Sequence, residues 1–139
     1  MWRSFQLRCR DWLVHTFGEP TAENLPERTH RFVEEAIELA QSVGCSKGDV
    51  LTLVDYVYSR PEGERYQEAG GVMLTLASLC SCARIDMINA GEAELARAWT
   101  KVEDIRAKQA TKPTHSPLPG KSQAEIDAAW RRSTDMIGR

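Results

Sequence analysis

Residues 27–44 read ERTHRFVEEAIELAQSVG, and this stretch decides how the rest of the chain is interpreted. A helical wheel advances about 100° per residue, and on it the apolar side chains share one broad side while three glutamates share the other. The apolar group is Phe32, Ala36, Leu39, Ala40 and Val43, and the acidic group is Glu34, Glu35 and Glu38. The pattern predicts an amphipathic helix over residues 27–43 that ends at Gly44, because glycine is common just after helix C-termini.

The remaining segments also show helical periodicity, and they lack the sustained alternation typical of strands. We predict further helices over residues 2–16, 46–59, 64–83 and 92–109. Ser46 and Asp49 form the pattern of a capping box, and Pro61 ends the helix that follows. We therefore expect an all-α fold. It should be a bundle of four to five main helices over residues 1–110, followed by an extended tail with a short C-terminal helix over residues 111–139.

The composition limits the classes of function. The chain has 139 residues, a net charge of −2 and a mean hydropathy of −0.44, which suits one globular domain. This charge provides no basic field for nucleic acid, and no apolar run reaches the roughly 20 residues of a membrane span. Charged residues interrupt the N-terminal segment before a signal-peptide core forms, and the four cysteines contain no C-x-x-C pair. A cytoplasmic location is expected, with neither nucleic acid nor membrane as a partner.

The acidic side of the helix over residues 27–43 is a candidate metal site. Glu34 and Glu38 are i,i+4 neighbours, and Glu35 and Glu38 are i,i+3 neighbours, so their carboxylates can converge. Like charges at this spacing repel, whereas a hard cation such as Mg²⁺ prefers carboxylate oxygens. The alternative is a solvated acidic face on a surface helix.

A fourth acid, Glu68, falls on a mostly apolar stripe of the helix predicted over residues 64–83. We expect it to be at least partly buried, where an ionised carboxylate needs a partner or a metal. The alternative is a position near the helix start, where the dipole favours it and solvent reaches it. Gly70 and Gly71 follow, and such a pair suits close approach by another helix or by a ligand.

The order of these motifs resembles the MazG-like, all-α nucleoside triphosphate pyrophosphatases. The matching elements are E-E-x-x-E at residues 34–38, the helix that opens at Glu68, and the basic segment KVEDIR at residues 101–106. The resemblance covers about residues 27–109. It implies a dimeric or tetrameric helical bundle that uses Mg²⁺, or Mn²⁺, to hydrolyse a (deoxy)nucleoside triphosphate to the monophosphate and pyrophosphate.

The resemblance also implies roles for individual residues. The catalytic group would be Glu34, Glu35 and Glu38. The metal ligands would be Glu35, Glu38 and Glu68, with Glu34 as a further ligand or an aid to water activation. Lys101 and Arg106 would contact phosphate oxygens. The sequence departs from the family pattern at one position, because Gly71 stands where E-x-x-D has its aspartate. Asp86 would replace that carboxylate only if the fold brings it near, and a helix-capping role is the alternative.

Arg31 precedes the acidic cluster and projects close to its face. It would either contact a phosphate or pair with Glu35 at i,i+4, and the pairing is favoured. The leading hypothesis is a Mg²⁺-dependent nucleoside triphosphate pyrophosphohydrolase. The alternatives are a phosphoribosyl-ATP pyrophosphohydrolase and a non-catalytic helical bundle that binds a nucleotide or a protein partner.

Overall fold

The computed structural model of this protein describes residues 3–111 together with residues 128 and 131. Every secondary-structure element in that part of the chain is an α-helix, so the predicted all-α class is confirmed. The helices are α1 (Phe5–Phe17), α2 (Glu19–Ala22), α3 (Leu25–Ser42), α4 (Lys47–Tyr58), α5 (Arg65–Cys82), α6 (Met87–Thr100) and α7 (Val102–Ala110). The tail and C-terminal helix expected over residues 111–139 lie, apart from residues 111, 128 and 131, outside the described residues.

Local side-chain chemistry sets the helix starts. Ser46 caps α4 by accepting a hydrogen bond from the Asp49 amide at 3.1 Å, and Asp49 accepts one in return from the Ser46 amide at 3.2 Å, which confirms the capping box. Asp86 accepts a hydrogen bond from the Asn89 amide at 2.9 Å and so caps α6. Gly44 follows α3 with a φ of 92°, the left-handed conformation that favours glycine.

The helix predicted over residues 92–109 is wrong in its bounds, because the structure has two helices there. Helix α6 begins earlier, at Met87, and it is separated from α7 at Lys101. The Thr100 hydroxyl donates a hydrogen bond to the Arg97 carbonyl oxygen at 2.7 Å, a local bond of the kind that bends helices. The short helix α2 lies between the helices predicted over residues 2–16 and 27–43, where no helix was predicted.

The described chain divides into two compact units, and the division falls within α3 and α6. In the first unit, Met1–Glu34 with Arg97–Arg139, α1 packs against α2 and α7. The Trp12 ring meets Phe17 edge-on, with centroids 5.9 Å apart, and the His15 ring lies 5.1 Å from Trp99. Trp99 is nevertheless 42% exposed.

The second unit, Glu35–Ala96, contains α4, α5 and most of α6. Its buried hydrophobic residues within the described chain are Cys80 and Leu95. Its large apolar side chains are mostly exposed, at 39–89% of their full area, and they form what we call the apolar surface. They are Ile37, Val43, Leu51, Leu53, Val54, Tyr56, Val57, Tyr58, Tyr66, Val72, Met73, Leu74, Ile85 and Ile88.

Among the described helices, none alone has both the length and the apolar composition of a membrane span. Helices α5 and α6 meet that test only as a pair, and the pair is bent by 102°.

Candidate functional site

Helix α3 carries the whole E-E-x-x-E motif on one uninterrupted helix. Glu35 and Glu38 are exposed, and Glu34 is half-buried. Residues three and four apart on a helix have Cβ atoms about 5–6 Å apart, so the three side chains extend from one patch of its surface. This patch, which we call the glutamate patch, is therefore accessible to a cation from solvent.

Arg31 lies beside the glutamate patch, but its ion-pair partner differs from the predicted one. Its Nη1 is 3.1 Å from Glu34 Oε2, a pair at i,i+3, whereas pairing with Glu35 was expected. The Nη2 atom donates a hydrogen bond to Gln109 Oε1 of α7 at 3.0 Å. Arg31 thus contacts Glu34 and α7 at the same time.

Glu68 lies in the first turn of α5 and is exposed, so the prediction that it is partly buried was wrong. The reason is that the apolar stripe to which it belongs is itself largely uncovered; Val72, for example, is 40% exposed. The Glu68 carboxylate lies over Gly63, where a Cβ would overlap its Oε1 atom. Gly63 thus leaves the space that this carboxylate occupies.

Gly70 and Gly71 face open space. A Cβ added at either position would have no described neighbour within 4 Å. The expectation of close approach by a helix or ligand is therefore not met within the described residues. At Gly71 there is room for the aspartate of the family pattern, although this chain lacks it.

The two basic residues of the third motif have protein partners. Lys101 Nζ is 3.9 Å from Asp104 Oδ2, and both side chains are more than half exposed. Arg106 donates from Nε to the Thr16 carbonyl oxygen at 2.8 Å and from Nη2 to the His15 carbonyl oxygen at 2.6 Å. Its Nη1 is 2.9 Å from Glu103 Oε1. Arg106 thus joins α7 to the end of α1, and a phosphate would have to compete with these contacts.

Two residues that the sequence did not single out lie beside Arg31. Glu27 is the most buried charged residue described, at 2% exposure, and Gln109 donates a hydrogen bond to it at 2.7 Å. The sequence shows Glu27 only as an acid in the first turn of a helix. It gives no signal for Gln109, which lies 82 positions further along the chain.

No three His, Cys, Asp or Glu side chains form a metal-binding group in the part of the chain that the structure describes. This applies both to Glu34, Glu35 and Glu38 and to Glu35, Glu38 and Glu68, so neither predicted set of three forms one such group. Asp86 caps α6, so its carboxylate has the helix-capping role that is the alternative to metal ligation.

Comparison of the chain with protein-family models, with curated proteins and with solved structures finds no match. The functional interpretation therefore depends on the site itself.

Proposed function

We propose that this protein is a Mg²⁺-dependent nucleoside triphosphate pyrophosphohydrolase with the bundle architecture of the MazG-like family. One observation carries the proposal: Glu34, Glu35 and Glu38 extend from one accessible patch of the continuous helix α3. Crowded carboxylates weaken a helix by a few tenths of a kcal/mol per pair unless a cation neutralises them. Their spacing therefore suits a cation-binding role.

The donor set fits Mg²⁺ in its chemistry. Mg²⁺ is commonly held by one or two carboxylates together with water and substrate phosphates, rather than by a cage of protein ligands. Glu35 and Glu38, one turn apart and exposed, suffice for such binding without a third converging side chain. Mn²⁺ is an expected substitute, since it also binds carboxylate oxygen. An ion held by Glu35 and Glu38 would supply charge neutralisation at the substrate phosphates.

The protein side chains would supply positioning. Phosphoryl transfer depends mainly on positioning and charge stabilisation. Glu34, whose carboxylate pairs with Arg31, is proposed to orient the attacking water molecule. Arg31 and Lys101 are the cations proposed to contact phosphate, and Glu68 is proposed as a further carboxylate ligand. Arg106 remains a candidate phosphate contact in this proposal, although its hydrogen bonds to α1 favour a structural role.

A non-catalytic nucleotide-binding or partner-binding bundle is the second candidate function. The specific observation in its favour is Gly71, which leaves an open, side-chain-free position one turn after Glu68. Loss of one carboxylate would weaken metal binding at that turn. This candidate predicts binding of Mg²⁺ or nucleotide without turnover. A phosphoribosyl-ATP pyrophosphohydrolase would use the same chemistry on a different substrate.

We further propose that the protein works as a homodimer or homotetramer in which a second copy of the chain covers the apolar surface. At roughly 70–100 Å² for each half-exposed large side chain, the apolar surface is on the order of 1,000 Å² per copy. A stable interface needs about 800 Å² per partner, and permanent homodimer interfaces are the most apolar class. Area and composition thus both favour a permanent contact between copies.

The decisive assay for the proposed function is pyrophosphate release from a panel of ribo- and deoxynucleoside triphosphates with Mg²⁺, and in parallel with Mn²⁺. Release from at least one triphosphate is expected. Activity on phosphoribosyl-ATP alone would transfer the assignment to that substrate. Absence of release with folded protein that binds the nucleotide would favour the non-catalytic candidate.

A further inference from the structure

Buried Glu27 anchors a chain of hydrogen bonds that ends at the glutamate patch. Its carboxylate is 2% exposed and accepts hydrogen bonds at Oε1 from Arg28 Nη2 at 2.8 Å and from Gln109 Nε2 at 2.7 Å. Gln109 Oε1 then accepts from Arg31 Nη2 at 3.0 Å, and Arg31 Nη1 donates to Glu34 Oε2 at 3.1 Å. These hydrogen bonds therefore link α7 to α3 through the side-chain amide of Gln109.

The two partners of Gln109 fix which way its amide points. A carboxylate only accepts hydrogen bonds and a guanidinium only donates them. The amide nitrogen must therefore face Glu27, and the amide oxygen must face Arg31. A Glu at position 109 would place a second carboxylate against the buried one, and a Lys or Arg there would offer no acceptor to Arg31. Among residues of this size, Gln alone matches both neighbours.

The orientation of the Gln109 amide determines how Arg31 is held. Its two described hydrogen bonds use two of the five N–H groups of a guanidinium, and its side chain is 30% exposed. The remaining N–H groups can donate hydrogen bonds to an anion without breaking the contact with Gln109. An arginine whose direction is set in advance loses less conformational freedom on binding a phosphate, and so binds it more tightly.

We propose that Gln109 and Glu27 are positioning residues that hold Arg31 ready to bind the phosphates of the substrate. The identity of the anion rests on the proposed function. The arrangement of Arg31 does not, and it can be measured in the absence of turnover. Neither residue is proposed to touch substrate or metal.

The first test replaces Gln109 with methionine, which keeps its length and removes both hydrogen bonds. In wild-type protein, NMR of the Arg31 guanidinium, assigned with Arg31→Lys, should show slowed rotation of the Nη groups. In Gln109→Met, faster rotation of the Nη groups should average those signals. The KM for the nucleotide and the Kd for magnesium pyrophosphate should both rise about tenfold, with a smaller change in kcat. Gln6→Met, at an exposed position of α1, is the matched control and should leave the Arg31 signals, the KM, the Kd and kcat at wild-type values.

Two variants that exchange the carboxylate between positions 27 and 109 distinguish the loss of these hydrogen bonds from a general structural effect. Gln109→Glu alone places two carboxylates together and should disrupt the chain of hydrogen bonds. Gln109→Glu combined with Glu27→Gln restores one donor and one acceptor at each link, so the Arg31 signals and the Kd should return towards wild type. Wild-type Arg31 signals in Gln109→Met, or no recovery in the folded double variant, would overturn the proposal. Altered Arg31 signals in a protein that releases no pyrophosphate would refute the proposed function and leave the positioning of Arg31 in place.

Discussion

Arg106 of α7 donates a hydrogen bond from Nε to the main-chain carbonyl oxygen of Thr16, at 2.8 Å, close to the C-terminal end of α1. Carbonyl groups in the last turn of a helix lack partners within that helix, and a cation there also interacts favourably with the helix dipole. A second donor of the same guanidinium reaches the His15 carbonyl oxygen at 2.6 Å. Arg106 thus supplies two hydrogen bonds to the end of a helix that lies 90 positions earlier in the chain.

Replacing Arg106 with methionine should therefore lower stability. We expect a loss of about 1 kcal/mol in the free energy of unfolding, since the side chain is partly exposed and a typical hydrogen bond contributes about this amount. Urea denaturation followed by circular dichroism measures it. Lys108→Met, on the same helix, is the control and should change stability by less than about 0.5 kcal/mol. An Arg106→Met protein of wild-type stability with a raised KM would instead identify Arg106 as a phosphate contact.

The start of α5 should depend on pH through Glu64. Its carboxylate accepts hydrogen bonds from the amides of Tyr66 and Gln67, each at 3.0 Å, and these bonds hold the pKa of Glu64 below its usual value of about 4.5. Because the pKa is lower in the folded state, the stabilisation is present above pH 4.5 and is lost as the pH falls through that lower value. Glu64→Gln should remove this dependence. The difference in urea midpoint between the two proteins should narrow on acidification, and a constant difference would contradict the assignment.

The parts of the fold that depend on neighbouring residues were predictable from the sequence. Ser46 with Asp49 and Gly44 after α3 act within four residues, so these residue types alone predict where α4 begins and α3 ends. The amphipathic pattern likewise predicted α3 and the shared face of its glutamates.

The remaining features depend on contacts between distant segments or on the absence of such contacts. Nothing near Arg106 in the sequence indicates the Thr16 carbonyl, and nothing near Gln109 indicates Glu27. Glu68 was expected to be partly buried because its stripe is apolar, but apolar periodicity predicts burial only where another surface covers the helix. Within the described chain, that stripe of α5 is largely uncovered.

Gly71→Asp tests the missing carboxylate. The position has room for a side chain, and an aspartate there would stand at i,i+3 from Glu68. If the proposed metal site includes Glu68, this change should tighten Mn²⁺ binding by about tenfold, as a second carboxylate adds charge to the site. Isothermal titration calorimetry measures the Kd. Gly71→Ala is the control: it should stabilise α5 by about 0.5–1 kcal/mol without changing the Kd. Equal affinities in the two variants would exclude this turn from the metal site.

Charges placed in the apolar surface should separate the proposed assembly. Leu53 and Val57, 56% and 52% exposed, are i,i+4 neighbours on α4. Leu53→Glu with Val57→Glu would bury two unpaired charges at a contact between copies, a cost of several kcal/mol. Sedimentation of wild-type protein should give a multiple of the 15.6 kDa chain mass, and the double variant should give the mass of one chain or unfold.

Leu7→Glu, at a 46% exposed apolar position of α1 outside that surface, is the control and should leave the wild-type mass unchanged. A wild-type protein that sediments as a folded single chain would contradict the assembly.

The central proposal is that the glutamate patch binds the metal that pyrophosphate release requires. Its most direct test compares Mg²⁺-dependent pyrophosphate release by the wild-type, Glu38→Gln and Glu62→Gln proteins on the preferred triphosphate. Glu38 is an i,i+3 or i,i+4 neighbour of both other glutamates, whereas Glu62 is an exposed residue between α4 and α5. We expect Glu38→Gln to lower kcat/KM by at least about a hundredfold, as loss of one metal-stabilising group typically does, and Glu62→Gln to retain wild-type activity. Equal activity in all three proteins would contradict the proposed site.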